Sequence, residues 1–223
     1  MSQANLTTKA QEVYARLLAR FGVPAWSDPL PPLDELVCTI LSQNTNDRNR
    51  DIAYRGLRGR FPTWEAVRDA PLPAVIDAIR SAGLANQKGA RIQALLQQIT
   101  AERGSLDLAF LADLPLEEAR QWLLRFKGVG LKTTSIVLLF TLGKPAFPVD
   151  THIYRVSGRL GLRPPGMTVE ATHPHLAGLF RPETYGPAHL NLIRLGREIC
   201  QARKPRCPVC PLQDLCDYAR NNQ

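Results

Sequence analysis

The feature that most restricts this chain is a glycine-centred joint between two helical patterns, Phe126-Lys127-Gly128-Val129-Gly130-Leu131-Lys132. Before it, Pro115 to Phe126 shows Leu116, Ala119, Leu123 and Phe126 at helical spacing behind a proline, which a first helical turn tolerates. After it, Leu131 to Leu142 reads as a second, more deeply buried helix. Two helices joined through Gly-Val-Gly predict a helix-hairpin-helix, because glycines admit positive φ and leave no Cβ between the backbone and a close neighbour. The amides around Lys127, Gly128, Val129 and Gly130, together with the N-terminus of the second helix, favour an anion, and a DNA phosphate is the neighbour expected.

Lys132 falls in the first turn of that second helix, where the positive end of the macrodipole and partial burial both disfavour the protonated amine. A neutral amine is a nucleophile suited to Schiff-base chemistry. A loop holding Gly143, Pro145 and Pro148 follows and ends at Asp150, directly before the helical pattern THIYRVSGRL. The loop is expected to turn the chain back so that the carboxylate meets the amine. Read singly, Lys132 is a solvated helix charge and Asp150 a helix N-cap. The hairpin, the lysine and the loop-plus-aspartate in this order point to chemistry. His152, two residues on, is a candidate DNA-contacting residue or a loop-bonded histidine.

The other strong pattern is Cys200-x6-Cys207-x2-Cys210-x5-Cys216. Crowded thiols without a matching set elsewhere suggest metal ligands in a reducing compartment more than a disulfide framework. Zinc sites usually pair two close Cys-x2–4-Cys units, and only one such unit is present; four thiolates also hold a [4Fe-4S] cubane. Spacing alone leaves both open. Between the first two cysteines, Arg203, Lys204 and Arg206 would present three cations to a phosphate backbone. The fifth cysteine, Cys38, lies near an apolar helix face and reads as a small buried hydrophobe.

No alternating pattern long enough for a strand is present, and the remaining segments are helical patterns punctuated by Pro and Gly, so the expected fold class is all-α. Helices are expected from Thr8 to Phe21, Leu33 to about Gln43, Asp51 to Arg60, Thr63 to Asp69 and Pro73 to Ala82, then a long one to about Arg103. Beyond Asp150 come helices to about Leu160, from Val169 to Leu179 and from Pro187 to Cys200. Asp28-Pro29-Leu30-Pro31-Pro32 reads as a rigid linker. The 28 Lys and Arg against 20 Asp and Glu give a net charge of +8, favouring a polyanionic partner. The N-terminus lacks the apolar core of a secretory signal, and the longest apolar run is too short to span a bilayer, which predicts a cytoplasmic, nucleoid-associated protein.

At Gly128-Val129-Gly130-Leu131-Lys132-Thr133, at Val149-Asp150-Thr151-His152-Ile153-Tyr154-Arg155-Val156 and at the four C-terminal cysteines, the chain resembles the DNA glycosylases marked by a helix-hairpin-helix followed by a Gly/Pro-rich loop and Asp, within them the endonuclease III group. The resemblance implies two helical lobes flanking a DNA-binding cleft: a six-helix barrel with the hairpin over residues 26–144, and an iron-sulfur lobe from 1–25 and 145–223. It implies Lys132 as the amine attacking the deoxyribose C1′ and Asp150 as its assisting carboxylate. It implies a [4Fe-4S] cluster on Cys200, Cys207, Cys210 and Cys216. The partner implied is double-stranded DNA with an oxidised or ring-saturated pyrimidine or an abasic site, bound by a monomer.

The same resemblance places an amide that enters the duplex at Gln43 or Asn44, which by themselves read as a helix end dissolving into a polar turn. It places a wedge opposite the lesion at Leu84, which beside Gly83 reads by itself as core; an apolar wedge can fill the hole left by base flipping. Lys88 nearby reads as a solvated or phosphate-facing lysine. The chain departs from the family pattern at Phe126-Lys127, where Leu-Pro is common, at Ala85, where a larger residue is common, and at Asn44, a shorter amide than glutamine. A monofunctional glycosylase, a non-enzymatic DNA-binding module and a zinc protein are the alternatives.

Overall fold

The computed structural model describes residues 2–25 and 29–221. Trp26, where the barrel boundary is expected, and Asp28 of the proline linker lie outside the described residues. The helices are α1 (Gln3–Phe21), α2 (Pro32–Ser42), α3 (Asp47–Arg60), α4 (Trp64–Asp69), α5 (Leu72–Ala78), α6 (Ala85–Arg103), α7 (Leu116–Leu124), α8 (Leu131–Phe140), α9 (Thr151–Leu160), α10 (Val169–Ala177), α11 (Tyr185–Glu198) and α12 (Asp217–Asn221). Among the described residues there is no strand, so the fold is all-α as expected.

Polar caps decide where these helices begin, which an apolar pattern alone misses. The first helix starts at Gln3, five residues before the expected Thr8, because the Ser2 hydroxyl accepts the Asn5 amide. The third starts at Asp47 and not Asp51, with the Asn46 side chain accepting the Asn49 amide at 2.9 Å. Thr63 caps α4 as expected, each such cap contributing about 1 kcal/mol. The segment expected as one helix over Pro73 to Ala82 instead divides into α5 and a 3-10 turn at Arg80–Ala82, closed by Gly83 at φ +65°. The tail after the last cysteine, for which no helix is expected, forms α12.

Two compact units make up the chain: Leu30–Leu142, and Met1–Pro29 together with Gly143–Gln223. In the first, α2 packs on α8 and α6 packs on α4 and α5. Leu36, Val37, Ile40 and Leu41 of α2 are fully buried, as are Val137 and Leu138 of α8 and Ile92, Leu96 and Ile99 of α6. Each contributes about 1.5–3 kcal/mol of apolar burial. Cys38 is buried among them, and burial pushes its thiol up to about 11, an inert core thiol as expected.

In the second unit α1 packs on α11, and α9 packs on α11 and α12. Ala10, Val13 and Leu17 of α1 are completely buried. Around them Gln11 Nε2 donates to the Leu179 carbonyl at 3.1 Å, Lys9 meets Asp217 at 3.1 Å and Arg16 meets Asp214 at 2.6 Å. Exposed pairs such as Arg16–Asp214 are screened by solvent and add little, so the apolar face of α1 does the holding.

Candidate nucleic-acid interface and metal centre

The expected hairpin is formed between α7 and α8, and its two glycines do different jobs. Gly128 sits at φ +86°, and a Cβ there would lie 2.3 Å from the Arg91 side chain. Gly130 is extended (φ −102°, ψ −178°) and caps α8, so positive φ is not its purpose, contrary to expectation. Its absent Cβ faces open space, which leaves the start of α8 approachable. Val129 is buried and its amide donates to Phe126 O at 3.0 Å, closing the turn; Lys127 is exposed beside it. We therefore expect Gly128→Ala to lose about 1–2 kcal/mol from the left-handed backbone alone, with displacement of Arg91 added. Gly130→Ala should stay within about 0.5 kcal/mol of wild type. Thermal melts distinguish the two, and equal losses would refute the division of roles.

Behind the hairpin lies a chain of polar contacts the sequence did not reveal. Arg91 Nη1 donates to Gln43 Oε1 at 2.8 Å, and Gln43 Nε2 donates to Gly128 O at 3.0 Å. One side chain from the end of α2 and one from α6 thus fix the hairpin backbone. Both termini of the Gln43 amide are occupied inside the protein, whereas Asn44 is exposed at φ 52°. Leu84 is not core: it is 51% exposed at φ 49°, immediately before α6. Asn44 and Leu84 are the only non-glycine residues at positive φ among the described residues. Lys88 is the reverse of the solvated lysine expected, being 2% exposed. Lys132 is the second residue of α8 and half-buried.

In the other unit, Asp150 caps α9, its Oδ1 accepting the Ile153 amide at 2.8 Å. The loop before it, Ala146 to Val149, is buried, and two buried histidines grip it: Nδ1 of His173 lies 3.0 Å from Phe147 O, and Nδ1 of His189 lies 3.0 Å from Pro148 O. A carbonyl only accepts, so each Nδ1 carries a proton. Neither histidine has a spacing signal in the sequence. His152 is half-buried with Nδ1 3.1 Å from Arg155 Nη2; a guanidinium only donates, so this nitrogen accepts and the proton sits on Nε2. Its place is thus set by a partner one helical turn away.

Cys200, Cys207, Cys210 and Cys216 line one pocket with Ile199 and Arg159. Among the described residues no three Cys, His, Asp or Glu side chains stand close enough to share a single metal ion. Four thiols lining one gap are the donor set that a multinuclear iron-sulfur cluster takes. Burial pushes the Cys210 thiol up to about 11, the other three cysteines adding to the rise, so a bound cation is needed to hold it as thiolate. Arg159 on α9 closes the site: Nη1 donates to Gln201 O at 2.7 Å and lies 3.4 Å from Cys200 Sγ, while Nη2 donates to Ala202 O at 2.8 Å. Arg155, one turn earlier, donates to Cys200 O at 3.1 Å and Gly196 O at 2.9 Å. Two arginines four residues apart on one helix face were the available sequence signal. The loop they pin exposes Arg203, Lys204 and Arg206.

These features match known proteins. A model of the HhH-GPD superfamily of base excision DNA repair proteins matches residues 37–182, and one of the iron-sulfur binding domain of endonuclease III matches residues 200–216. Endonuclease III of Thermotoga maritima is 31% identical over 213 residues, covering 94% of this chain and 93% of that protein. The chain belongs to the endonuclease III family. A solved endonuclease III–DNA complex shares its fold at a TM-score of 0.83 and 26% identity, over 99% of this chain and 98% of that one. A protein of Arabidopsis thaliana named as a DNA glycosylase is 42% identical over 144 residues, and this chain spans about half of it, 49%. The match to that iron-sulfur binding domain over residues 200–216 gives this chain a [4Fe-4S] cluster. Among the described residues no helix is long and apolar enough to cross a membrane.

Proposed function

We propose that this chain is a base-excision repair glycosylase that removes oxidised or ring-saturated pyrimidines from double-stranded DNA and cleaves the abasic site by β-elimination. The observation that carries this is the place of Lys132, half-buried in the first turn of α8 behind a glycine whose Cα faces open space. The Lys132 amine attacks C1′ and the C1′–N bond to the base breaks, the base leaving with the bonding pair and a proton. Asp150 stabilises the cationic sugar; the C1′–O4′ bond then breaks as the proton left on the nitrogen passes to O4′, and the resulting open-chain imine acidifies C2′–H. Loss of that proton expels the 3′ phosphate, and water then hydrolyses the imine to free the lysine.

Recognition is divided among the remaining residues. The hairpin at Lys127 to Gly130 binds phosphate, and His152 lines the sugar side. Asn44 and Leu84 enter the duplex, with Gln43 holding the hairpin in place of inserting. Cys200, Cys207, Cys210 and Cys216 would hold the cluster, which supplies metal–thiolate bonds that fix the loop bearing Arg203, Lys204 and Arg206. The protein acts as a monomer on nucleoid DNA in the cytoplasm.

Incubation with a duplex carrying one thymine glycol tests the activity. A nick ending in the unsaturated aldehyde left by β-elimination is expected; base release without a nick would make the enzyme monofunctional, and binding without either would make it a DNA-binding module. Replacing Arg203, Lys204 and Arg206 together by Ala should reduce the slope of log affinity against log salt by about 2–3, at about 0.9 per phosphate contact. An unchanged slope would remove those residues from the interface.

A further inference from the structure

Lys88 is a buried lysine with no part in the chemistry just described, and its bonds run to two turns far apart in sequence. Nζ donates to Leu41 O at 2.8 Å, to Thr45 Oγ1 at 3.0 Å and to Ala82 O at 2.8 Å. Thr45 Oγ1 in turn donates to Ala82 O, and Ser81 Oγ donates to Asn49 O at 3.2 Å. Leu41 and Thr45 flank Asn44, at φ 52°, and Ala82 stands two residues before Leu84, at φ 49°, the two exposed residues at positive φ. Left-handed backbone at non-glycine residues costs on the order of 1–3 kcal/mol each and persists only where surroundings impose it. The three protons of an ammonium, matched to three acceptors, impose it on both turns at once. Burial, with Arg91 adding to the effect, brings the lysine down to about 8, and the three acceptors around Nζ match its protonated form.

We infer that Lys88 is a positioning residue for base extrusion: with Thr45 it locks the Asn44 turn and the Leu84 turn into one rigid probe that enters the duplex as a unit. This role rests on the proposed function. A flipped base leaves a gap only a few ångströms wide, and two side chains on independently moving turns would each lose orientational freedom on filling it; the lysine removes that freedom beforehand. Lys88 touches neither sugar nor base and acts only through the turns it ties.

The test separates extrusion from chemistry by using two substrates for one protein. Duplex DNA with an abasic site requires the probe, whereas a single strand with the same site has no partner strand to enter. Lys88→Met, close in length but unable to donate, should slow single-turnover cleavage of the duplex roughly 10- to 100-fold. Borohydride trapping on the single strand should stay within about twofold of wild type. The rise in 2-aminopurine emission opposite the site on wild-type binding should be lost. Thr45→Val, which keeps the lysine and removes the bridging hydroxyl, should give a smaller loss of the same pattern, and it tests the role even if Lys88→Met fails to fold. Equal losses on both substrates, or no loss on the duplex in either variant, would overturn the role. Wild-type inactivity on both substrates would instead overturn the proposed function, and this role with it.

Discussion

Lys132→Gln is expected to abolish the covalent adduct that borohydride traps on duplex DNA carrying one thymine glycol or abasic site. Glutamine keeps the length and polarity of the position at the start of α8 but has no basic amine, so no imine can form for hydride to reduce. Turnover should fall by several orders of magnitude, on the order of 10³-fold or more, while affinity for an abasic duplex changes far less, because the hairpin and the loop cations remain. Asp150→Asn should reduce the rate similarly in direction. The asparagine can still cap α9 through its side-chain oxygen, so the melting temperature should hold while catalysis falls. A Lys132→Gln protein that still forms the adduct would transfer the nucleophile elsewhere. An Asp150→Asn protein that keeps its rate would confine that residue to capping.

Losing one of the proposed cluster ligands is expected to give the second large effect. Cys210→Ala should yield protein without the brown absorption of an iron-sulfur centre and with little bound iron. The residues from Cys200 to Cys216 contain only short 3-10 turns between backbone bends, with little core of their own. With the proposed ligation, their order depends on the metal–thiolate bonds together with the hydrogen bonds from Arg155 and Arg159. Removing such a crosslink costs about 2–5 kcal/mol where a native disulfide is the comparison. At about 2–4 °C per kcal/mol for a chain of this size, the melting temperature should drop by about 10 °C. Hydrogen exchange should rise over residues 200–221 and stay slow in α2, α6 and α8, whose core lies in the other unit. Colourless wild-type protein with stoichiometric zinc would overturn the cluster, and an unchanged melt in Cys210→Ala would show that the loop is held by Arg155 and Arg159 alone.

The alanine changes at the hairpin and the Lys88 variants probe a different level of organisation. Gly128 was legible as a special position because a glycine between two helical patterns has few other purposes. Gly130 looked identical in the sequence, yet its backbone is one any residue could adopt, and only the space beyond its Cα sets it apart. The reverse holds at Asn44 and Leu84. Nothing local marks a leucine for left-handed backbone; what stands beside both residues is a set of bonds across the sequence, from Lys88 to Leu41 O and Ala82 O and from Thr45 to Ala82 O.

By itself, the sequence determined that the chain is all-α, where most of its helices lie, that Gly128 joins two of them in a hairpin, that Cys38 is core, and that four cysteines gather near the C-terminus. Those features follow from the helical repeat, from glycine's conformational range and from thiol spacing, all of which act within a few residues. Tertiary structure decided the rest. It buried Lys88, turned Leu84 outward, assigned Gln43 to the hairpin and left Asn44 exposed, and set Arg155 and Arg159 against the cysteine loop. The places of Lys88, Gln43, Arg155 and Arg159 rest on hydrogen bonds between groups some 40 or more residues apart, such as Lys88 to Leu41 and Arg159 to Gln201, separated by 47 and 42 positions. A polar side chain shows no periodicity that distinguishes solvent from a buried carbonyl, because its burial is favourable only once a distant backbone has supplied the acceptor.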